Sequence, residues 1–263
     1  MQITLTGARG FVGSCLDVAL RRAGHTVNAI EGELEAVRGT IGGDVLVHAA
    51  GAIRGSRRSL WSANVTAFEH MLERLAPDVR VVALSSRAVY APAPAQAVAE
   101  DHELRPADAY GAAKLAAERT LAATKRAALT LRATVLVGVA PNGRLNASAA
   151  VQRMVETASL GAPIVCHGGG QSVDFLDVWE LVEAVERLIV RDDAWGRTLN
   201  IAGPQVALDE WVTAVACELG TPVEHTPAAT PPTLLDCGRL DQLLGWRPTR
   251  QPSSIISAIV RGR

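Results

Sequence analysis

Ile3-Thr4-Leu5-Thr6-Gly7-Ala8-Arg9-Gly10-Phe11-Val12-Gly13 runs a strand-like apolar segment straight into three spaced glycines. Behind them Val12, Cys15, Leu16, Ala19, Leu20 and Ala23 recur at helical spacing, and Gly24-His25 closes the helix. At such a strand-to-helix turn Gly7 permits the tight bend, Gly10 lets backbone approach a pyrophosphate, and Gly13 lets the helix pack on the strand. The helix N-terminus then offers free N–H donors to a bound phosphate. Gly7, Arg9, Gly10, Phe11, Val12 and Gly13 are therefore the first candidate dinucleotide contacts.

The pattern continues outward from this turn. Strand-like runs at 26–30, 44–48, 80–84 and 129–137 alternate with helical patterns at 33–41, 62–75 and 108–126. Strands separated by helices imply an α/β protein with a doubly wound parallel sheet. Further helices are expected at 149–160, 178–190, 208–219, 239–244 and 254–260, with a strand at 199–201 and a glycine turn at Gly168-Gly169-Gly170. The expected division is a dinucleotide-binding domain over 1–140 plus about 172–200, and a smaller, partly interleaved substrate lobe over about 141–171 and 201–263. With 263 residues, 48% hydrophobic and 20% charged, the chain has ample material for packed cores. A net charge of −1 gives no broad attraction to nucleic acid or membrane. No apolar run is long enough to span a bilayer and no leader pattern is read, so the expectation is a cytoplasmic protein. Cys15, Cys166, Cys217 and Cys237 are scattered without metal-ligand spacing and read as reduced thiols. His25, His48, His102 and His167 show no ligand spacing either, and no metal site is expected.

The chain holds only two tyrosines and two lysines, yet one of each stands four apart in Tyr110-Gly111-Ala112-Ala113-Lys114. On a helix both lie on one face. Lowering a phenol from about 10 to about 7 takes about 4 kcal/mol. An ammonium about 4 Å away at an effective dielectric near 20 supplies about that much. The pair can thus act as an acid/base near neutrality. Leu84-Ser85-Ser86 ends a buried strand at the sheet edge where ligands bind, and the Ser86 hydroxyl can hold a carbonyl oxygen there, while Ser85 reads better as a turn cap.

Taken in order, Gly7/Gly10/Gly13, His48-Ala49-Ala50-Gly51, Asn64, Ser86, Tyr110 and Lys114 resemble the motifs of the extended short-chain dehydrogenase/reductase family, the NAD-dependent epimerase/dehydratase group. Leu131-Arg132, Val137-Gly138, Asp174-Phe175, Asn200-Ile201-Ala202-Gly203 and Leu244-Gly245-Trp246-Arg247-Pro248 look like its later landmarks, so the resemblance covers most of the chain. It implies a bound nicotinamide dinucleotide contacted also by Glu31, Ala49, Ala50, Gly51, Asn64, Lys114 and Thr134. Tyr110 would be the acid/base, Lys114 would also hold the nicotinamide ribose, and Ser86 would orient the substrate. A homodimer through the helices at 62–75 and 108–126 is also implied.

Departures from the family pattern narrow the function. Arg87 and Ala88 stand where sugar-nucleotide dehydratases carry an Asp-Glu pair, which disfavours dehydration. Val135 and Val173 replace the asparagine and arginine with which nucleotide-sugar epimerases grip their substrate. The main expectation is therefore a sugar ketoreductase. A sugar epimerase that retains its cofactor is the alternative, and a non-catalytic dinucleotide-binding redox sensor is a third reading from another class. Arg54, Arg57 and Arg58 follow Gly51 and, with Arg87, are the candidate substrate contacts, as an anion clamp in place of the missing arginine. The interval between the second strand and the His48 strand is short, where the family normally fits another strand. Glu31 favours NAD by bonding ribose hydroxyls, whereas Arg9 could pair with the extra phosphate of NADP. The balance falls to NAD, with NADP open.

Overall fold

The computed structural model describes residues 1–141, 143, 149–227 and 230–261. Its first half builds β1 (Gln2–Thr6), α1 (Phe11–Arg22), β2 (Thr26–Ile30), β3 (Val45–His48), α2 (Arg57–Trp61), α3 (Ala67–Arg74), β4 (Arg80–Ser86), the short β5 (Ala97–Val98), α4 (Ala109–Ala123), β6 (Ala128–Ala133) and β7 (Leu136–Val137). The second half adds α5 (Ala149–Ser159), β8 (Ile164–His167), β9 (Ser172–Val173), β10 (Leu176–Asp177), α6 (Val178–Ile189), β11 (Arg197–Ile201), β12 (Val206–Ala207), α7 (Leu208–Leu219), β13 (Val223–Thr226), β14 (Leu234–Leu235), α8 (Gly238–Leu244) and α9 (Pro252–Arg261).

Six strands form the central sheet in the order β11-β6-β4-β3-β1-β2, every pair parallel. The chain steps from β1 to β2 on one side and then back to β3 on the other, so the order reverses between β1 and β3. That reversal opens a crevice at the C-terminal strand ends, where doubly wound sheets bind ligands. Strands covered on both faces should be apolar throughout, and Val45, Leu46, Val47, Val81 and Val82 are all fully buried. The face packed on α1 and α6 includes Leu5, Leu16, Leu20, Leu131 and Leu181, and the opposite face packs Phe68, Met71 and Leu121. A separate core joins α5, α7 and α9 through Val151, Val155, Trp211, Val215 and Ile256. Leu240 of α8 packs instead into the sheet's own core, so the C-terminal segment is shared between the two. Among the described residues no helix is long and apolar enough to cross a membrane.

Three expected elements differ. The helix at 33–41 is only a 3₁₀ turn, Leu34–Ala36, because Gly32, Gly39 and Gly43 adopt positive φ around it. The helix at 62–75 starts earlier and is interrupted by a π-helical turn over Ser62–Thr66, where the Asn64 amide donates back to the Leu60 carbonyl at 2.9 Å. The strand at 129–137 splits, since Leu136 and Val137 leave the main sheet to pair with Leu176 and Asp177.

A buried polar network ties α4 to the sheet. Arg132 of β6 pairs with Glu118 of α4 at 2.8 Å and donates to the Tyr90 hydroxyl at 2.9 Å, which donates to Asn200 of β11 at 2.6 Å. Asn200 in turn bonds the Val98 and Asp236 carbonyls, drawing β5 and the segment before α8 onto the strand ends. Both members of the ion pair are shielded, at 5% and 11% exposure. Arg132→Met is expected to leave the Glu118 carboxylate buried and unpaired, lowering stability by about 3–5 kcal/mol in urea unfolding.

Candidate active site

The turn between β1 and α1 is packed so tightly that its glycines cannot be replaced. A Cβ on Gly13 would lie 2.0 Å from the Gly7 carbonyl oxygen, and one on Gly7 would lie 2.7 Å from the Ala49–Ala50 backbone. Gly7 also has φ +73, and Gly10 is the N-cap of α1 with no side chain capping the helix. The first-turn N–H groups therefore face the crevice with room for an oxyanion, a fit to a dinucleotide pyrophosphate. Phe11, Val12 and Gly13 supply that first turn. At the outer edge Arg9 and Glu31 form an ion pair with each other, both largely exposed. The two residues that argued for opposite cofactors in the sequence thus form one unit.

Past β3, Ala49, Ala50 and Gly51 line up opposite Gly7 and the π-helical turn. Gly51 has φ +151, and a Cβ there would come within 2.5 Å of Asn64 Oδ1 and 3.6 Å of Lys114 Nζ. The Asn64 amide nitrogen is used by the Ala52 and Leu60 carbonyls, while its Oδ1 is buried without a partner. An acceptor so placed is ready for a ligand or a water between it and Lys114.

Ser86 ends β4, and its hydroxyl accepts from Ala88 N–H at 3.2 Å, capping the turn over Arg87–Val89. Ser85, read as the cap, instead donates to Glu118 at 2.5 Å. Helix α4 is started by Asp108, whose carboxylate accepts from Gly111 N–H at 2.7 Å. A Cβ on Gly111 would lie 2.1 Å from the Ala88 carbonyl, so glycine alone lets the helix press against that turn. The close approach sets the Tyr110 phenol beside the Ser86 hydroxyl. One turn on, Lys114 Nζ donates to the Leu84 carbonyl at 3.0 Å and sits 5.9 Å from the centre of the Tyr110 ring.

Burial pushes the Tyr110 phenol up, with Asp108 adding to it and the Ser86 hydrogen bond opposing. This corrects the sequence argument, which took Lys114 as a close ammonium that lowers the phenol. Here the ammonium is turned to the Leu84 carbonyl. Lys114 is itself lowered to about 8 by burial, with Glu118 holding it up. His48 is lowered to about 3 by burial and then by Lys114, and it is spent on Thr6 at 2.9 Å and on stacking with Phe68.

A cavity of about 470 Å³ begins at Arg87, the residue after Ser86, and both Val135 and Val173 lie in its wall. Met154, Ile164, Phe175 and Leu208 extend the apolar lining, and Arg153 and His167 add polar groups. Arg87 is fixed by Asp174 at 2.9 Å, Thr134 at 3.1 Å and the Thr233 carbonyl at 3.2 Å. The Thr134 hydroxyl donates to the fully buried Asp174 at 2.7 Å, so its side chain serves this network rather than an open cofactor face. The arginine clamp expected after Gly51 is not assembled here. Arg57 and Arg58 line a different cavity with Trp61, Ser62, Thr66, Ala109 and Ala112, and exposed Arg54 lines neither. The helix carrying Arg57 and Arg58 turns them along the face of α4, away from Val135 and Val173. Sequence reasoning missed Arg153 and His167, which reach the cavity from α5 and β8. The helical stripe of Val151, Val155 and Ala158 could have shown that Arg153 stands off that helix's buried face.

A model of the NAD dependent epimerase/dehydratase family matches residues 3–202. The chain belongs to that family, and it is an enzyme of NAD-dependent chemistry whose glycine cradle fits the cofactor. No curated protein matches it in sequence. Among solved structures, UDP-glucuronic acid 4-epimerase from Bacillus cereus in complex with NAD superimposes with a TM-score of 0.85 at 18% identity, covering 100% of this chain and 96% of that one. MoeE5 in complex with UDP-glucose and NAD gives 0.84 at 25% identity, covering 100% and 98%. RMD from Pseudomonas aeruginosa complexed with NADPH gives 0.80 at 20% identity, covering 99% and 96%.

Two outcomes follow from this geometry. Gly13→Ala must displace backbone at the cradle, and overpacking of about 1–3 kcal/mol is expected to weaken NAD about ten- to hundredfold by calorimetric titration. Lys114 loses its charge as pH rises through about 8, so turnover should fall through that range. Lys114→Arg, whose guanidinium stays charged, should keep its residual rate flat there, as read from a pH–rate profile.

Proposed function

We propose that this chain is a nucleotide-sugar epimerase, inverting a ring carbinol by oxidation and re-reduction while NAD stays bound. The observation that carries it is the Ser86–Tyr110–Lys114 constellation at the end of β4, next to a cavity with an apolar wall. Ser86 holds the reacting oxygen, and Tyr110 takes the hydroxyl proton on oxidation and returns it on reduction. Lys114, donating to the Leu84 carbonyl beside the unpartnered Asn64 Oδ1, is placed to hold the nicotinamide ribose. NAD, when bound there, would supply the hydride acceptor and donor for the carbinol carbon. For inversion the keto sugar must present its other face. Val135, Val173, Met154 and Phe175 offer no hydrogen bonds that would fix a single ring orientation. Arg153 and His167 are the groups on that wall suited to an anionic tail. The likeness to MoeE5, solved with UDP-glucose and NAD, supports a uridine-diphosphate sugar. A sensor without turnover has no use for a seated proton donor.

A second reading, the one-way ketoreductase expected from the sequence, is favoured by one observation. No strand forms over 31–44, and the outer cofactor edge is an exposed Arg9–Glu31 pair. Such an edge suits a cofactor that exchanges at every turnover. Within the same proposal, residues 1–140 with about 172–200 form the cofactor domain and the remainder the substrate lobe, except α8, which packs into the core of the sheet. A homodimer would use α2, α3 and α4, the face on which Trp61 is 47% exposed.

The two readings separate in one assay. UDP-glucose and UDP-glucuronic acid are incubated with the enzyme without added reductant and followed by proton NMR and by reduced-nicotinamide absorbance. The expected result is a new sugar isomer with no net change in nicotinamide. Stoichiometric consumption of NADH on a keto substrate, with no isomer formed, would overturn epimerisation in favour of reduction. Tyr110→Phe should lower turnover at least about 10²-fold with NAD affinity unchanged.

A further inference from the structure

Outside the active site, one cluster is unused by any of this chemistry. β8 and β13 form a separate parallel pair whose register sets Cys166 directly beside His225. Partners in register on neighbouring strands point to the same side, about 4.8 Å apart along the hydrogen-bonding direction. Asp209, in the first turn of α7, meets that side: Cys166 Sγ lies 3.6 Å and His225 Nδ1 3.7 Å from its Oδ1. One ligand atom from each of the three residues falls within 4.8 Å of the other two.

The carboxylate reaches this position through the glycine turn noted in the sequence. A Cβ on Gly169 would lie 2.3 Å from Asp209 Oδ1, and the Gly169 carbonyl accepts from the Asp209 N–H at 3.0 Å. Gly169 has φ +115, so the turn both makes the space and holds the helix start against it.

We propose that Cys166, Asp209 and His225 form a binding site for a zinc-type divalent cation, with a fourth position left to water. Zinc bonds of about 2.3 Å to sulfur and about 2.0–2.2 Å to nitrogen and oxygen give tetrahedral edges of about 3.3–3.6 Å. The two separations from Asp209 already match these to within a few tenths of an ångström. Cys166 is buried while the His225 side chain is 54% exposed, so the ring is free to close the third edge and the ion can enter from solvent. A thiolate and a carboxylate together neutralise a divalent charge, and sulfur with imidazole selects zinc over magnesium or calcium. The ion would cross-tie β8, β13 and the start of α7 directly behind the substrate cavity, whose wall includes Ile164, Val165, His167 and Leu208.

The test uses tag-free, full-length protein stripped with a chelator and then titrated with zinc alone and with cobalt alone. The expected result is one equivalent of zinc per chain, and a cobalt complex with a near-ultraviolet sulfur-to-metal band that requires a thiolate ligand. Cys166→Ser and His225→Ala should each weaken zinc at least about 100-fold. Cys217→Ser, at an exposed cysteine on the same helix α7, should leave it unchanged. Zinc should raise the thermal midpoint of the wild type by several degrees and leave that of His225→Ala unmoved. Wild-type affinity no tighter than that of Cys166→Ser, or a cobalt complex without the sulfur band, would reduce the cluster to a hydrogen-bonded polar patch and overturn the site.

Discussion

The pairing of Arg132 with Glu118 fixes the helix on which the reacting groups stand. Glu118 lies one turn beyond Lys114 and two beyond Tyr110, so its bond to a strand of the central sheet sets the rotation of α4 about its own axis. A helix free to roll would carry the phenol away from Ser86 while keeping most of its apolar contacts. Glu118 also receives the Ser85 hydroxyl, and it holds up the charge of Lys114 against burial. One carboxylate thus locks helix against sheet, occupies the serine next to the reactive one, and keeps the ammonium charged. The cost of burying it is offset by Arg132, which bonds both carboxylate oxygens and is itself satisfied by the Tyr90 hydroxyl and the Glu100 carbonyl.

Where local pattern determined the outcome, the sequence was enough. The glycine turn, most of the helix and strand order of the nucleotide-binding half, and the placing of Tyr110 and Lys114 one turn apart on a single helix depend on short spacings, and each has its counterpart in the structure. Features created by tertiary contact were hidden. The π-helical turn carries a side-chain bond from Asn64 to the Leu60 carbonyl, and no hydrophobic period records it. Arg57 and Arg58 come after a strand end as expected, but they open helix α2, whose direction turns both toward another cavity. Arg153 and His167 are distant in sequence from every motif and meet the cavity only because α5 and β8 pack over it. The Cys166–Asp209–His225 cluster joins three elements spread over sixty residues of chain, and no ligand spacing marks it.

The cavity wall gives the valines at 135 and 173 a meaning that their identity alone did not. In the sequence they were missing grips and pointed away from epimerisation. In the folded chain they line one cavity with Met154 and Phe175, together with a guanidinium that Asp174 and Thr134 hold still. Binding there can anchor one end of a ligand through charge while leaving the other end to turn.

The sheet also has an unfinished rim. β2 pairs with β1 along all five residues and, among the described residues, has no strand on its far side. Half of its backbone amides therefore point outward, and the short strand carries exposed Thr26 and Asn28 at its edge. Amide exchange should spread inward from this rim, with β3 and β4 opening last because both their flanks are paired and every residue of β3 is buried. By the reading that gives Glu31 a ribose contact, the strand that loosens first is the one beside the cofactor, and occupancy of the crevice would be felt there as a slowing of exchange.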